Sequence, residues 1–204
     1  MIKPSTAALA ERWQRFPKIV LFGAAAFTQL ALLALMIADR VEVLREGTEV
    51  TLQTRPVDPR DLLRGDYVTL NYDISSLPAG LLKDELSAAP NPVVFVKLAP
   101  NRDGIFEAIS VHADVVAVNS PEVLIRGRVA YGAACGARRG QFCDTLQIRY
   151  DLERYFVPEG EGRNLEQVRN QRKLMVVAAV APSGRAAIKR LLVDGEPVYD
   201  EPWF

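Results

Sequence analysis

One segment near the start of the chain is apolar on every face. Residues 19–38, IVLFGAAAFTQLALLALMIA, contain no charged side chain. As an α-helix this segment is about 30 Å long, which matches the hydrocarbon thickness of a bilayer. A buried core helix fits less well, because such helices are rarely apolar all round in a chain of this size. We therefore predict a transmembrane helix over residues 19–38.

The rest of the chain consists of short apolar or alternating segments separated by turn residues. Alternation of apolar and polar positions over residues 49–54, 123–131 and 145–157 predicts half-exposed antiparallel strands. Residues 93–98 and 174–180 are almost wholly apolar and predict central strands. About seven to nine strands at this spacing, with one or two short helices, predict a mainly β fold, either an antiparallel sandwich or a partly closed barrel.

Two segments predict which side chains face the core, because successive side chains of a strand point to opposite sides. We predict that a strand runs through RGDYVTLNYDI, residues 64–74, and that a second, longer strand covers residues 145–157. On the first strand, the residues predicted to face the core are Val68, Leu70, Tyr72 and Ile74. On the second, they are Leu146, Ile148, Tyr150, Leu152 and Phe156. A short polar helix is predicted from Asn164 to about Arg172, because Asn followed by Gln three residues later is typical of a helix start.

Charge is placed asymmetrically around the apolar segment. The whole chain carries 25 basic and 25 acidic residues, and this balance argues against nucleic acid as a partner. Basic residues predominate before the apolar segment, so the positive-inside rule predicts a cytoplasmic N-terminus. A cleaved signal peptide fits less well, because its apolar region is usually only ~7–15 residues long. We predict a cytoplasmic tail (1–18), an uncleaved transmembrane signal anchor (19–38), a linker (39–48) and a periplasmic β domain (49–204).

Gln29 lies within the predicted span, where its amide either bonds to a partner helix or is tolerated alone.

Cys135 and Cys143 are the only cysteines. In an oxidising compartment we predict that they form a disulfide, with two free thiols as the alternative. Zinc needs further ligands that the sequence does not supply nearby, and we predict neither a metal nor a cofactor.

The segment 65–72 reads Gly-Asp-Tyr-x-x-Leu-x-Tyr. Gly65 and Asp66 are typical of a turn that begins a strand. Leu70 and Tyr72 are predicted to be core residues, which leaves Asp66 and Tyr67 as candidates for a functional role. At every specified position the segment resembles the signature of the GDYXXLXY family of bacterial membrane-anchored proteins. The resemblance extends over most of residues 45–200.

This resemblance implies a membrane-anchored bacterial protein, and together with the single predicted span we expect a single-pass protein of the inner membrane. Members tend to be encoded beside polytopic membrane proteins, which implies a partner of that kind in addition to the lipid bilayer. The family has no assigned activity, so the resemblance implies no catalytic residue.

The first functional hypothesis is a non-enzymatic periplasmic accessory or binding protein that contacts a polytopic membrane protein. The alternative is a periplasmic hydrolase or ligand sensor that uses two acidic loops, at 58–66 and 159–161, and it requires those loops to converge. The residues predicted to contact a partner or ligand are Asp58, Asp61, Arg64, Asp66, Tyr67, Glu159 and Glu161.

The chain is also similar to signal peptidases, which are serine–lysine proteases, in being anchored, extracytoplasmic and rich in β-structure. Lys97 lies on a later predicted strand, but no nucleophilic serine precedes Gly65 and Asp66, so the dyad is incomplete. His112 has no motif around it and is predicted to be an ordinary strand residue.

Overall fold

The structure is a computed structural model. It divides into two compact units, Met1–Val41 and Glu42–Phe204. The residues that it describes are 18–56, 67–86, 89–130, 145–157 and 162–201.

The described residues of the first unit all belong to helix α1, which begins at Lys18 and ends at Glu46. By length and composition this helix is able to cross a membrane, and no residue of its apolar 18-residue stretch is buried. The predicted span over residues 19–38 therefore lies inside one continuous helix. Most of the segment predicted as a linker, 39–48, is helical too.

Gly47 ends helix α1 by donating its backbone N–H to the carbonyl of Val43 at 3.0 Å. A Cβ atom at this position would clash with the same carbonyl oxygen and would lie 2.9 Å from the backbone nitrogen of Val180. Only glycine fits where the chain turns from the helix into the first strand.

The strands in the described part of the second unit are β1 Thr48–Gln53, β2 Tyr67–Thr69, β3 Ser76–Pro78, β4 Val93–Pro100, β5 Phe106–His112, β6 Val123–Val129, β7 Thr145–Arg149, β8 Arg154–Phe156, β9 Leu174–Val180, β10 Ala186–Val193 and β11 Glu196–Asp200. These strands pair antiparallel in three sheets, ordered β1-β9-β10-β11, β2-β8 and β3-β7-β6-β4-β5. Together they form a partly closed barrel, with helix α2 over Gly162–Asn170. The mainly β fold preceded by an apolar helix is thus confirmed.

The central strands β4 and β9 are buried in different ways. In β4 alternate residues, Val94, Val96 and Leu98, are fully buried, and the residues between them are partly exposed. Nearly every residue of β9 is buried. One side of β9 joins the main core, while Ala179 belongs to a small second cluster with Val43 at the end of helix α1. This cover on both faces explains why LMVVAAV is continuously apolar.

The strand predicted over residues 64–74 is shorter than expected. Pairing in β2 stops at Thr69, and the chain bends into a short 3₁₀ turn over Asp73–Ser75. Beyond Thr69 the backbone hydrogen bonds no longer follow a strand ladder, and the Leu70 N–H donates to the backbone carbonyl of Glu153 at 2.8 Å. The predicted core face is nevertheless confirmed, and its buried residues are Val68, Leu70, Tyr72 and Ile74.

The strand predicted over residues 145–157 is broken into β7 and β8. Asp151 adopts a left-handed conformation with φ of 61°, and Tyr150 N–H donates to the Glu153 carboxylate at 2.6 Å, which closes a turn. This turn shifts the alternation by one residue. Tyr155 is therefore buried and Phe156 is 77% exposed, so the prediction that Phe156 faces the core is wrong. The other four predicted core residues, Leu146, Ile148, Tyr150 and Leu152, are buried.

Candidate functional site

The motif begins a two-stranded sheet that we call the motif ribbon, formed by Tyr67–Thr69 and Arg154–Phe156. The strands are antiparallel, with Tyr67 opposite Phe156 and Val68 opposite Tyr155. The chain therefore enters β2 beside the point where it leaves β8. Segment 57–66 joins the ribbon at this end, and segment 158–161 departs from it after Val157. The two acidic segments are thus attached to the same end of the ribbon.

Most of the predicted contact residues lie on those two segments, outside the described part of the chain. For Tyr67 the backbone position is described. The predicted residues that lie outside are Asp58, Asp61, Arg64, Gly65, Asp66, Glu159, Glu161, Cys135 and Cys143.

The second half of the motif, Leu70 and Tyr72, is fully buried. The Tyr72 hydroxyl donates to the Leu152 carbonyl at 2.7 Å, and the Tyr72 N–H donates to the Ser75 hydroxyl at 3.2 Å. Burial raises the pKa of Tyr72 well above its ordinary value, and the negative charge of Glu153 adds to this rise. Tyr72 is therefore a neutral hydrogen-bond donor that fixes the backbone of the motif.

A second tyrosine makes the reciprocal contact. The Tyr150 hydroxyl donates to the Ile74 carbonyl at 2.7 Å, so segments 72–74 and 150–152 each supply one donor and one acceptor. We call this pair the tyrosine clamp. Burial, followed by the charge of Glu153, raises the pKa of Tyr150 too. The sequence predicted that both tyrosines are buried, and a buried tyrosine hydroxyl usually needs a partner, but the identity of the partner depends on the turn at Asp151.

A buried arginine attaches helix α2 to the motif strand. The Arg169 side chain is fully buried and donates through Nη1 to the Thr69 carbonyl. Its Nε and Nη2 atoms donate to Asn170 Oδ1 at 3.2 and 3.1 Å, and the Glu166 carboxylate lies 4.0 Å from Nη1. Burial lowers the pKa of the Arg169 guanidinium, while Glu166 raises it.

Sequence reasoning missed Arg169, because a charged residue on a polar helix is usually exposed. One signal was available. Leu165 lies four residues earlier, on the same helical face, and is buried. On this side of the domain, the described motif residues therefore hold the backbone of the motif ribbon in place.

The single histidine belongs to a separate network on the edge strand β5. His112 Nδ1 lies 3.2 Å from Asp84 Oδ2, and His112 Nε2 lies 2.9 Å from Ser110 Oγ. Because a carboxylate only accepts hydrogen bonds, neutral His112 carries its proton on Nδ1, and Ser110 donates to Nε2. His112 lies on a strand as predicted, and its polar partners are an addition that the sequence did not indicate.

The order Asp–His–Ser is that of a hydrolytic triad, but the exposure is reversed. Ser110 is 8% exposed, whereas the Asp84 side chain is 46% exposed. A nucleophile must be open to substrate, and here the orienting carboxylate is the open group. Lys83 N–H also donates to the Val111 carbonyl at 2.9 Å. The network therefore fastens segment 82–84 to the edge of the sheet.

Metal binding receives no support from the described residues. Within them, no group of three or more histidine, cysteine, aspartate or glutamate side chains is placed to hold a metal ion.

Comparison with known proteins gives a family match. The family model described as GDYXXLXY protein matches residues 29–191. No curated protein and no solved structure matches the chain. The match begins within helix α1 and continues through most of the β domain, including the whole motif, and it covers well over half of the sequence. The chain therefore belongs to the GDYXXLXY family.

Proposed function

We propose that this protein is a non-enzymatic, membrane-anchored accessory protein whose periplasmic β domain binds a polytopic integral membrane protein. The observation that carries the proposal is helix α1, which is long and apolar enough to span a bilayer. No residue of its apolar 18-residue stretch is buried. Each Leu, Ile or Phe at the centre of such a helix favours insertion by ~0.3–0.6 kcal/mol. A water-exposed helix of this composition has no comparable stabilisation.

The topology rests on the charges around this helix. Residues before the span carry four basic groups, Lys3, Arg12, Arg15 and Lys18, against the single acidic group of Glu11. This excess favours an N-terminus in the cytoplasm of a bacterial cell, with an uncleaved signal anchor in the inner membrane and the β domain in the periplasm. In that oxidising compartment Cys135 and Cys143 are expected to form a disulfide.

The partner surface that we propose is the end of the motif ribbon where segments 57–66 and 158–161 are attached. Phe156 lies at this end and is largely exposed, and exposed aromatic residues are common anchors in protein interfaces. The neighbouring segments supply Asp58, Asp61, Glu159 and Glu161. These charges favour a partner with a basic periplasmic loop beside an apolar pocket.

The buried contacts explain why such a surface would be built on this motif. Arg169 fixes the Thr69 carbonyl, and the tyrosine clamp fixes the chain that follows it, at Tyr72 and Ile74. A binding surface gains affinity when its supporting backbone is ordered before binding. In this account the motif holds the surface in place and takes no part in a reaction.

The attachment of both acidic segments to one end of the ribbon also favours the alternative function, a hydrolase or ligand sensor. That function requires Asp58, Asp61, Asp66 and Glu159 to line a shared site. If the alternative function is right, the double variant Asp61→Asn, Glu159→Gln should abolish small-molecule binding. It would weaken, but not abolish, attachment to a protein partner that is also anchored by Phe156.

Photocrosslinking in living cells tests the proposed function. The crosslinker p-benzoylphenylalanine is placed at Phe156, and as a control at Val115, which is also exposed. We expect an adduct from position 156 alone, containing an integral membrane protein with several spans. Absence of such an adduct, or equal yields from both positions, would count against the ribbon end as the partner surface.

A further inference from the structure

The two notably polar residues of the apolar segment 19–38, Thr28 and Gln29, differ in how their side chains are satisfied. The Thr28 hydroxyl donates to the Ala24 carbonyl at 2.9 Å, within the helix. The Gln29 side chain is exposed and makes no hydrogen bond to any described residue. Thr28 is therefore compatible with lipid on its own, whereas Gln29 brings two donors and one acceptor oxygen that need an external partner.

Gln29 lies near the middle of the apolar segment 19–38, where a membrane offers no water. An amide left without hydrogen bonds in an apolar medium is strongly disfavoured. Each end of the segment is about 15 Å away along the helix, at about 1.5 Å per residue, so the Gln29 side chain is too short to reach the lipid headgroups.

Gln29 is part of a seam with heptad spacing. Steps of three and four residues place it on one face of the helix with an aromatic residue, a small residue and two long apolar residues. Phe27 lies on the opposite face, two residues away at about 100° per residue. The seam consists of Phe22, Ala25, Gln29, Leu32 and Met36.

We propose that helix α1 forms a parallel dimer with a second copy of the same chain through this seam, with the two Gln29 amides bonded to each other. An amide is both donor and acceptor, so an identical amide is a complementary partner. A parallel two-fold dimer brings the same residue of each copy to the same depth. A single polar residue at such a seam position sets register and oligomeric state in coiled coils, and Ala25 allows the backbones to approach closely.

This inference rests on membrane insertion, as the proposed function does, but it is independent of the partner at the ribbon end. The β domain of each copy remains available to its own polytopic partner.

The test uses two tagged copies of the full chain expressed together, with p-benzoylphenylalanine at Phe22 or at Phe27. These two phenylalanines are exposed to nearly the same extent, 75% and 73%, and differ in the face that they occupy. We expect irradiation of intact membranes to join the two tags from position 22 and not from position 27. A position-22 adduct with a different protein, no adduct, or equal yields from both positions would overturn the dimer.

Substitutions at Gln29 provide the second readout. Gln29→Leu should weaken dimerisation about 5- to 30-fold, the effect of losing an interhelical hydrogen bond in a membrane. Gln29→Asn should retain much of it, and Thr28→Val should leave it unchanged because that hydroxyl is satisfied within its own helix. Equal dimerisation in the Gln29→Leu variant would overturn the assignment of the amide contact.

Carbonate extraction distinguishes a failure of the dimer from a failure of the membrane anchor. Release of the chain by carbonate would remove the membrane anchor on which both proposals rest. A chain that resists carbonate and gives no joined tags would contradict the dimer alone, and the proposed function would stand.

Discussion

Two polar networks in the described part of the β domain use similar hydrogen bonds in different surroundings. Arg169 and the tyrosine clamp lie in the interior and hold the motif strand. The Asp84–His112–Ser110 network lies at the sheet edge, with its carboxylate half-open to water. A buried donor that loses its partner cannot recover the bond from water, whereas an exposed one can. The motif network should therefore matter to global stability and the edge network to local order.

Removal of the buried guanidinium should have the largest effect. Arg169→Ala deletes a fully buried side chain and leaves the Thr69 carbonyl without this donor, so we expect a loss of about 3 kcal/mol in the free energy of unfolding. Arg172→Ala is the matched control, because Arg172 is 57% exposed and pairs with Asp73 at the surface. Its loss should be under about 1 kcal/mol. Urea unfolding of the two variants checks the difference, and equal losses would contradict it.

The tyrosine clamp comes next. Tyr72→Phe and Tyr150→Phe keep the ring and remove the hydroxyl, which leaves the Leu152 or Ile74 carbonyl without its buried donor. We expect each to lower stability by about 1–3 kcal/mol. Thermal unfolding followed by circular dichroism provides the measurement. A variant as stable as the parent protein would show that water replaces the hydroxyl, and the clamp would then be unimportant.

Alkaline pH tests the buried tyrosines together. Burial, with Glu201 and Asp200 nearby, raises the pKa of Tyr155 to about 12, and the pKa values of Tyr72 and Tyr150 are raised well above normal. The unfolded chain ionises first, near pH 10, so the stabilisation is complete below that pH and is lost as pH rises towards the folded pKa values.

The urea concentration at the midpoint of unfolding should therefore decrease as the pH rises from about 10 to 12. Tyr155→Phe should reduce part of that fall, because phenylalanine does not titrate. A midpoint that stays constant over this interval would contradict the buried, neutral state of these hydroxyls.

The edge network should give the smallest global effect. Asp84→Asn keeps the shape but removes the charge that orients His112, and we expect a change of under about 1 kcal/mol in global stability. Amide hydrogen exchange should instead accelerate at Lys83, whose N–H bonds to the Val111 carbonyl. A large global loss, or unchanged exchange at Lys83, would remove the distinction between the two networks.

Alternation predicted burial correctly along the motif segment, even beyond the end of its strand. Val68, Leu70, Tyr72 and Ile74 are buried although the strand ends at Thr69. The same reasoning failed at Phe156, since the left-handed turn at Asp151 shifts the alternation and leaves no signature in hydrophobicity. Breaks of this kind are set by turn geometry, which a pattern of apolar residues does not encode.

The site was less predictable than the fold for a different reason. The attachment of both acidic segments to one end of the ribbon depends on the pairing of β2 with β8, two short strands far apart in sequence. The burial of Arg169 depends on helix α2 meeting the Thr69 carbonyl. Single-sequence reasoning finds periodic faces, but it does not indicate which distant backbone group a side chain will reach.

The central claim is that helix α1 carries the β domain across the inner membrane, and a topology reporter fused after Phe204 tests it directly. Alkaline phosphatase folds only in the periplasm, and green fluorescent protein exported through the general secretory route does not become fluorescent there. We predict high phosphatase activity and no fluorescence from the two fusions. Bright fluorescence with inactive phosphatase would place the β domain in the cytoplasm and contradict the account.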